Sequence, residues 1–324
     1  MGKSNSKEQK IELKCHLEFD YRKRFNVKIP QKFFLAENFF FVQKFNTIYV
    51  YEIESGELIT QHENDDVVIF AQLNKNCIVW LNSEGGHIYF FNLRNFKLEK
   101  RNFPSTIMFN ELLCFDERTL MTFDAFSLWV YKVYDGSIEK INFISCEMSY
   151  LTNYESRGQI LKVNERFVIV SDCFDLLRLI DVKAKQVVSI CQMKNFDLFI
   201  DAKNGCLSYE PMKIMNERDI RYIRVYFGGK INISYKNYKI FEKMKNSGVI
   251  KRYAPFFKFK SQPIWVFEDK FVMKVYNSEK NKIIEEYEFP EMKAKGNVTL
   301  FRRFQIAKKY FVFALYNYFL IYKY

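Results

Sequence analysis

The residue types that usually perform acid–base or metal chemistry are few and scattered in this sequence. Three histidines occur among 324 residues, and none lies in an H-x-H or H-E-x-x-H pattern. No Cys/His cluster has the spacing of a zinc site, and no G-x-S-x-G, Walker A or G-x-G-x-x-G sequence occurs. Two adjacent acid pairs, Asp65-Asp66 and Glu285-Glu286, fall at expected loop or strand ends, and neighbours along a strand point to opposite faces. The sequence therefore predicts that the protein is not an enzyme and has no catalytic residues, metal or cofactor.

The seven cysteines predict reduced thiols. Their number is odd, no two form a C-x-x-C pair, and several lie in apolar runs such as Cys77–Trp80. Buried free cysteines of this kind are usual in a reducing compartment. The first twelve residues are polar, and the best apolar run, 310–322, is shorter than the roughly 20 residues of a membrane-spanning helix. We therefore expect a cytoplasmic protein whose association with a membrane or with the cytoskeleton is peripheral.

The sequence begins MGKSNSK, which matches the N-myristoylation pattern. Removal of Met1 exposes Gly2 as the acceptor, with Ser6 at the favoured recognition position and Lys7 beside it. A single myristoyl chain supports only reversible membrane binding, so a second signal is required. Lys3, Lys7 and Lys10 flank the acyl position and are expected to supply that signal on an anionic surface.

Positive charge is concentrated elsewhere in the chain as well. The formal net charge is +12, and the segment 230–260 contains nine basic residues and one acid. Such a field attracts an anionic membrane surface, an acidic protein or a nucleic acid, although no motif supports nucleic acid; a solvated loop is the other explanation. The residues of this expected basic interaction face are Arg22, Lys23, Arg24, Lys236, Lys239, Lys243, Lys245, Lys251 and Arg252.

The elements that would position these residues follow a repeat. Ile48–Tyr51, Ile88–Phe91 and Leu128–Tyr131 are four-residue apolar strands spaced at forty residues, and each precedes a polar turn and a returning strand. The turns carry Gly, Asn or Asp, which tolerate positive φ. Looser copies begin at 177, 223, 273 and 319. Other apolar runs precede most copies, including Ile107–Phe109 and Thr299–Phe301, so each repeat of about 45 residues contains about four short strands.

This pattern resembles the WD40-like β-propeller superfamily over about residues 12–324. The Gly-His and Trp-Asp pairs typical of that superfamily are missing at their usual places, so the resemblance implies a fold and no functional residues. The expected fold class is all-β, a seven-bladed WD40-like β-propeller closed by an N-terminal outer strand, with 12–19 beside 319–323. Residues 1–11 are expected to be a flexible tail, 12–324 a single propeller domain, and about 236–254 a basic insertion between blades. In such a fold, both basic groups are expected on the face where one blade connects to the next.

Three functions fit these features. The first is a non-catalytic scaffold that mediates protein–protein interactions and is recruited to a membrane by N-myristoylation. The second is an architectural subunit of a large cytoskeletal, ciliary or ribonucleoprotein assembly, in which the 35 Phe and 21 Tyr residues supply contacts. The third is phosphoinositide binding, because Phe301-Arg302-Arg303-Phe304 is similar to the Phe-Arg-Arg-Gly motif of the propellers called PROPPINs, with Phe304 in place of the Gly.

Overall fold

The structure is a computed structural model of the chain. It describes residues 9–12, 14–20, 32–64, 67–105, 109–124, 126–143, 158–171, 176–192, 197–201, 205–209, 220–225, 231–234, 257–259, 264–267, 272–277, 282–290, 303–306, 309–314 and 318–324. The strands in these residues are β1 (Gln9–Glu12), β2 (Cys15–Asp20), β3 (Lys32–Ala36), β4 (Phe39–Lys44), β5 (Thr47–Glu52), β6 (Leu58–Glu63), β7 (Val68–Asn74), β8 (Cys77–Asn82), β9 (Gly86–Asn92), β10 (Leu98–Phe103), β11 (Leu112–Asp116), β12 (Thr119–Phe123), β13 (Ser127–Lys132), β14 (Ile138–Asn142), β15 (Gln159–Lys162), β16 (Phe167–Ser171), β17 (Leu176–Asp181), β18 (Gln186–Gln192), β19 (Asp197–Asp201), β20 (Gly205–Tyr209), β21 (Ile220–Val225), β22 (Ile231–Ser234), β23 (Phe257–Phe259), β24 (Ile264–Phe267), β25 (Val272–Asn277), β26 (Lys282–Glu288), β27 (Arg303–Ile306), β28 (Tyr310–Ala314) and β29 (Tyr318–Lys323).

In the described residues these strands form sheets of four, each built mainly from consecutive strands. Sheets 1 to 5 are β3–β6, β7–β10, β11–β14, β15–β18 and β19–β22, with the strands side by side in chain order. Sheet 6 is β23–β26 with β1 added beside β26, and sheet 7 is β27–β29 with β2 beside β29. Each of the seven repeated segments seen in the sequence lies in the third strand of such a sheet.

The chain divides into two units. The larger contains His16–Lys194 and Arg302–Ile321, and the smaller contains Met1–Cys15, Asn195–Phe301 and Tyr322–Tyr324. In the larger unit the first strands β27, β3, β7, β11 and β15 lie next to one another in that order, and in the smaller unit β19 lies next to β23. We call these first strands the inner strands and the fourth strands the outer strands.

The core lies between neighbouring sheets, so the middle strands are covered on both faces. Phe40 and Phe41 in β4 point to opposite faces, yet both are fully buried. Phe40 packs in the cluster between sheets 7 and 1, and Phe41 packs in the cluster between sheets 1 and 2. This arrangement explains why β4, a second strand, is apolar and buried along most of its length, whereas the outer strand β6 of the same sheet has only exposed and half-buried residues.

The strand β2 packs against sheet 1 as well as completing sheet 7. Phe19 is fully buried, and the centre of its ring lies 4.7 Å from that of Tyr51, 6.1 Å from that of Phe40 and 6.3 Å from that of Phe319. The sequence placed this strand at 12–19 beside 319–323, and the structure places it at Cys15–Asp20 beside β29.

Two strands differ from the sequence-based expectation. Gln9–Glu12, most of which was expected in the flexible tail, forms β1 and pairs in parallel with Glu285–Glu288 of β26. The first strand of sheet 3 is β11, and of the strand expected at 107–109 only Phe109 lies in the described residues. Phe109 is buried outside any strand because its N–H donates to the Ser83 carbonyl at 2.6 Å and its ring lies 5.3 Å from that of Phe103.

Candidate interaction surface

The turns between the third and fourth strands share one geometry in sheets 1, 2 and 3. In sheet 1 the Glu52 N–H donates to the Glu57 carbonyl at 3.0 Å, and the Glu52 carbonyl accepts the Gly56 N–H at 2.9 Å. Bonds of the same kind close the turns Asn92–Lys97 and Lys132–Ser137. The left-handed position is Gly56 (φ 70°), Phe96 (φ 56°) and Gly136 (φ 72°) in the three sheets.

A second set of backbone hydrogen bonds ties each of these turns to the turn between the first and second strands of the same sheet. The donor follows the third strand, and the distances are 2.8 or 2.9 Å. The pairs are Ile53 N–H to Asn38 O, Leu93 N–H to Asn76 O, Val133 N–H to Arg118 O and Val182 N–H to Arg166 O. Both turns of sheets 1 to 4 are therefore fixed at one end of the sheet, which we call the hairpin end.

The hairpin end of three consecutive sheets exposes a large apolar side chain. Leu58 of sheet 1 is 47% exposed, Phe96 of sheet 2 is 37% exposed and Tyr134 of sheet 3 is 75% exposed. Phe96 also packs edge-on against Phe39 of sheet 1, with 5.7 Å between ring centres. We call Leu58, Phe96, Tyr134 and Arg94 the hairpin-end surface. Tyr, Phe and Arg are the side chains that contribute most to protein interfaces when they are rigidly presented.

Hydrogen bonds define the polar part of this surface. Arg94 donates from Nε to Asn76 Oδ1 at 3.0 Å, and its N–H donates to Asn92 Oδ1 at 2.8 Å. Asp135 accepts the Ser137 N–H at 2.9 Å, and this bond keeps the pKa of the Asp135 carboxyl below its usual value. The same carboxylate accepts from the Tyr134 hydroxyl and raises the pKa of Tyr134. The hairpin ends of sheets 2 and 3 thus carry a hydrogen-bonded cation, Arg94, and a hydrogen-bonded anion, Asp135, in the same turns as the exposed aromatic rings.

The opposite end of the sheets also exposes aromatic side chains. Phe45 and Phe126 lie in the turns between the second and third strands of sheets 1 and 3, and they are 59% and 51% exposed. The backbone of Phe45 is left-handed, with a φ of 47°, and Lys44 Nζ lies 5.7 Å from its ring centre. The Phe126 turn is held by Asp124, whose carboxylate accepts the Phe126 N–H at 2.7 Å and Trp129 Nε1–H at 2.8 Å.

A cluster of titratable groups joins sheet 7 to sheet 1. The buried Tyr310 hydroxyl donates to Glu54 Oε1 at 2.6 Å, and His16 Nε2 lies 3.4 Å from Glu54 Oε2. Burial and the Glu54 carboxylate raise the pKa of Tyr310. These three side chains come from β28, the turn after β5, and β2, so the cluster attaches β2 to the neighbouring sheet.

The interaction residues expected from the sequence lie outside the described residues. Gly2, Ser6 and Lys7 precede β1; Arg22, Lys23 and Arg24 lie between β2 and β3; and Lys236, Lys239, Lys243, Lys245, Lys251 and Arg252 lie between β22 and β23. The placement of both basic groups on one face of the fold therefore stays a prediction. Of the arginine motif, Phe301 and Arg302 are also outside the described residues, and Arg303 lies in β27 opposite Ala314.

The hairpin-end surface was not predicted from the sequence. Tyr131 is 1% exposed and Tyr134 is 75% exposed, although they are three residues apart in the same repeat. Tyr131 lies in β13, and Tyr134 lies just after the point where the turn begins. In a sequence with many aromatic residues, residue type alone does not distinguish the buried tyrosine from the exposed one. Phe96 did carry a usable signal, because it aligns with Gly56 and Gly136 at a left-handed position.

Two other kinds of site are absent from the described residues. Among them, no group of three or more His, Cys, Asp or Glu side chains could hold a metal ion. No helix in the described part of the chain is long and apolar enough to cross a membrane.

Comparisons with known proteins identify the fold. The chain matches no protein-family model and no curated protein sequence. The β-propeller domain of Cps50 (Swd1) from Myceliophteria thermophila is similar over 92% of this chain and 97% of that chain, with a TM-score of 0.54 and 8% identity. The fold is a β-propeller.

The four-stranded antiparallel sheets are the blades of this propeller. A computationally designed protein, Ika8, is similar over 91% of this chain and 83% of that chain, with a TM-score of 0.54 and 10% identity. Because 1272 chains of solved structures match the propeller, and identities near 10% show the fold alone, these similarities do not transfer a function.

Proposed function

We propose that this protein is a non-catalytic propeller scaffold that binds a partner protein through its hairpin-end surface. The observation that carries the proposal is the exposure of Leu58, Phe96 and Tyr134 on turns that backbone hydrogen bonds hold in place. A pre-organised surface loses little conformational entropy on binding. The partner is expected to offer an apolar groove, with an acidic group opposite Arg94.

The first test replaces Tyr134 by Ser in the full chain. Tyr134 is expected to be a central binding residue, so the variant should capture about tenfold less of each specific partner from the native cell extract. The exposure of Tyr134 means that stability should not change. Quantitative mass spectrometry of affinity-captured proteins measures the effect.

The matched control is Phe126→Ser, which removes an exposed aromatic side chain from the opposite end of the same sheet. It should leave the capture unchanged. Equal capture by wild type and Tyr134→Ser would refute the hairpin-end surface, and loss in Phe126→Ser alone would move the interface to the opposite end of the sheets.

We also infer that the propeller has seven blades and is closed where β2 completes sheet 7. The support is the recurrence of the four-stranded unit and the position of β2 beside β29, about 300 residues away along the chain. Pairing of this kind leaves β29 without an open edge.

Membrane recruitment by N-myristoylation is the second part of the proposal. Its support is the sequence around Gly2, Ser6 and Lys7, with Lys3 and Lys10 as the electrostatic signal. Protein from its native cell should lack Met1 and be heavier by about 210 Da, the size of a 14-carbon acyl group. The wild-type protein should be found in the membrane fraction, and the Gly2→Ala variant should be absent from it.

Other outcomes of that fractionation favour the alternatives. An unmodified N-terminus together with retention in a large particle would favour an architectural subunit of a cytoskeletal, ciliary or ribonucleoprotein assembly. Retention of Gly2→Ala on phosphoinositide-containing membranes would favour the phosphoinositide alternative, which is supported by the sequence of Phe301–Phe304 alone.

A further inference from the structure

The outer strand of sheet 4 differs from the other outer strands. A strand at the edge of a sheet presents unpaired backbone groups, and charged residues normally protect it from other chains. The strands β2, β6, β10 and β14 each contain at least one acidic residue. The seven residues of β18, QVVSICQ, include no charged residue, proline or glycine. The other uncharged outer strand, β22, has only four residues.

The chain itself shows that an outer strand of this length can accept another strand. β26 also has seven residues, and β1 pairs with its last four, Glu285–Glu288. Both outer strands contain an extra residue near the turn, because the register shifts at Ile284 in β26 and at Val188 in β18. The part of β18 that corresponds to the covered part of β26 is therefore Ser189–Gln192.

No strand covers this part of β18 in the described residues. Ser189 is half-buried and Ile190 is 44% exposed. Ile190 pairs with Arg178 of β17 on one side, and on the other side no strand of the described part of the chain pairs with it. Charged residues on an outer strand oppose pairing with another chain. β18 has an exposed isoleucine and no charged residue, so it lacks this protection.

We propose that β18 pairs with β18 of a second copy of this chain, antiparallel about a two-fold axis at Ile190. Residues that oppose each other in an antiparallel pair point to the same face of the sheet. A two-fold axis perpendicular to the sheet also keeps each residue and its copy on one face, so the axis must pass between the two copies of a single residue. An axis at Ile190 places Ile190 opposite its own copy and Ser189 opposite Cys191. The extra residue Val188 then lies outside the segment Ser189–Cys191, in which the pairing between the two copies is regular.

The lack of charge selects β18 itself as the partner. If the partner strand were charged, its charges would lie opposite β18, which offers no counterion. Two copies of β18 bring no charges together, so a second β18 is the better partner. Pairing of one strand buries less surface than a standard stable interface, so the dimer is expected to be a micromolar one.

Sedimentation of the full chain at concentrations from about 1 to 200 µM tests the proposal over the range expected for a weak interface. The wild type should pass from monomer to dimer. Ile190→Lys places two ammonium groups opposite each other and should raise the dissociation constant of the dimer at least about tenfold. The matched control is Gln61→Lys in β6, since Gln61 occupies the position in sheet 1 that Ile190 occupies in sheet 4.

Wild-type protein that stays monomeric throughout this range would overturn the proposal. Dimers that persist in Ile190→Lys, or that dissociate equally in Gln61→Lys, would also overturn it. Far-ultraviolet circular dichroism and thermal melting of each variant show whether the monomer is folded, so a misfolded variant would be replaced by Ile190→Thr, which keeps a β-branched side chain and should weaken the dimer less.

A crosslink tests the position of the axis. Ile190→Cys in a Cys191→Ser background places two thiols on side chains whose β-carbons are expected about 5 Å apart. A short bis-maleimide should join two copies at this position. Gln186→Cys in the same background is the control, because it lies four residues from the axis and should not crosslink to its own copy. Crosslinking at Gln186 and not at Ile190 would refute the proposed register.

Discussion

Replacement of Phe19 by Ala is expected to lower the free energy of unfolding by about 3–5 kcal/mol, the usual cost of removing a fully buried phenylalanine ring. Phe19 is the residue through which β2 enters the core between sheets 7 and 1. Its ring contacts come from Phe40, Tyr51 and Phe319, so the cavity would lie between two sheets and could not be filled by a small shift within one of them.

Urea unfolding followed by tryptophan fluorescence and circular dichroism measures this loss. Lys14→Gln is the matched control, because Lys14 is exposed directly before the same strand and its replacement should change stability by less than about 0.5 kcal/mol. A similar small effect for both variants would show that β2 does not contribute to the core in solution.

Replacement of Glu111 by Gln is expected to stabilise the protein at alkaline pH. Glu111 precedes β11, and its carboxylate accepts the Ile160 N–H of sheet 4 at 2.8 Å. Burial raises the pKa of this carboxyl from its ordinary 4.5 to about 7, and the Ile160 hydrogen bond and the charge of Lys32 oppose that rise only in part. Glu111 is half-buried, and the partial loss of solvent makes ionisation of its carboxyl costly.

The sign of the pH dependence follows from this shift. Because the folded state keeps the Glu111 proton to a higher pH than the unfolded state, stability from this group is fully present below about pH 4.5 and is lost as pH rises to about 7. Gln cannot ionise but still accepts the Ile160 N–H. The variant should match the wild type near pH 4.5 and exceed it at pH 8 by up to about 3 kcal/mol.

Unfolding free energies of both proteins between pH 4.5 and pH 8 check the prediction. Since all other titrating groups are the same, the difference between the two curves isolates Glu111. Glu111→Leu separates charge from hydrogen bonding: it removes the acceptor of the Ile160 N–H, so it should remain less stable than Glu111→Gln at every pH. A difference that does not change with pH would contradict the raised pKa.

Features that repeat in the sequence could be predicted, and features that occur once could not. The third strands β5, β9 and β13 were visible because apolar strands, turn residues and spacing recur together. β1 was missed because parallel pairing needs no local turn and Gln9–Glu12 contains a single apolar residue. Ile107–Phe109 has the composition of a strand, but Phe109, the described residue of this run, is held outside any strand by a backbone hydrogen bond to Ser83.

The candidate surface was less predictable for a related reason. Exposure of Tyr134, Phe96 and Leu58 depends on where each turn begins, to within a residue, and on which neighbouring sheet covers it. The start of a turn and its coverage by a neighbouring sheet are set only when the sheets assemble, so they cannot be read from the local sequence. Charge, by contrast, can be counted directly along a chain, so the basic groups were noticed first although they lie outside the described residues.

The pairing of β2 with β29 sets the order in which the protein can be completed during translation. Each of sheets 1 to 4 comes from one contiguous segment, and so each can form soon after it leaves the ribosome. Sheet 7 cannot, because about 300 residues separate its two halves, and at 5–20 residues per second β2 waits roughly 15 to 60 s for its partner. Throughout that interval the pocket of Phe19 lacks the side that Phe319 of β29 supplies, although Phe40 and Tyr51 of sheet 1 are already made. A nascent chain of this design is thus expected to depend on a holding chaperone at its N-terminal segment until β29 is made.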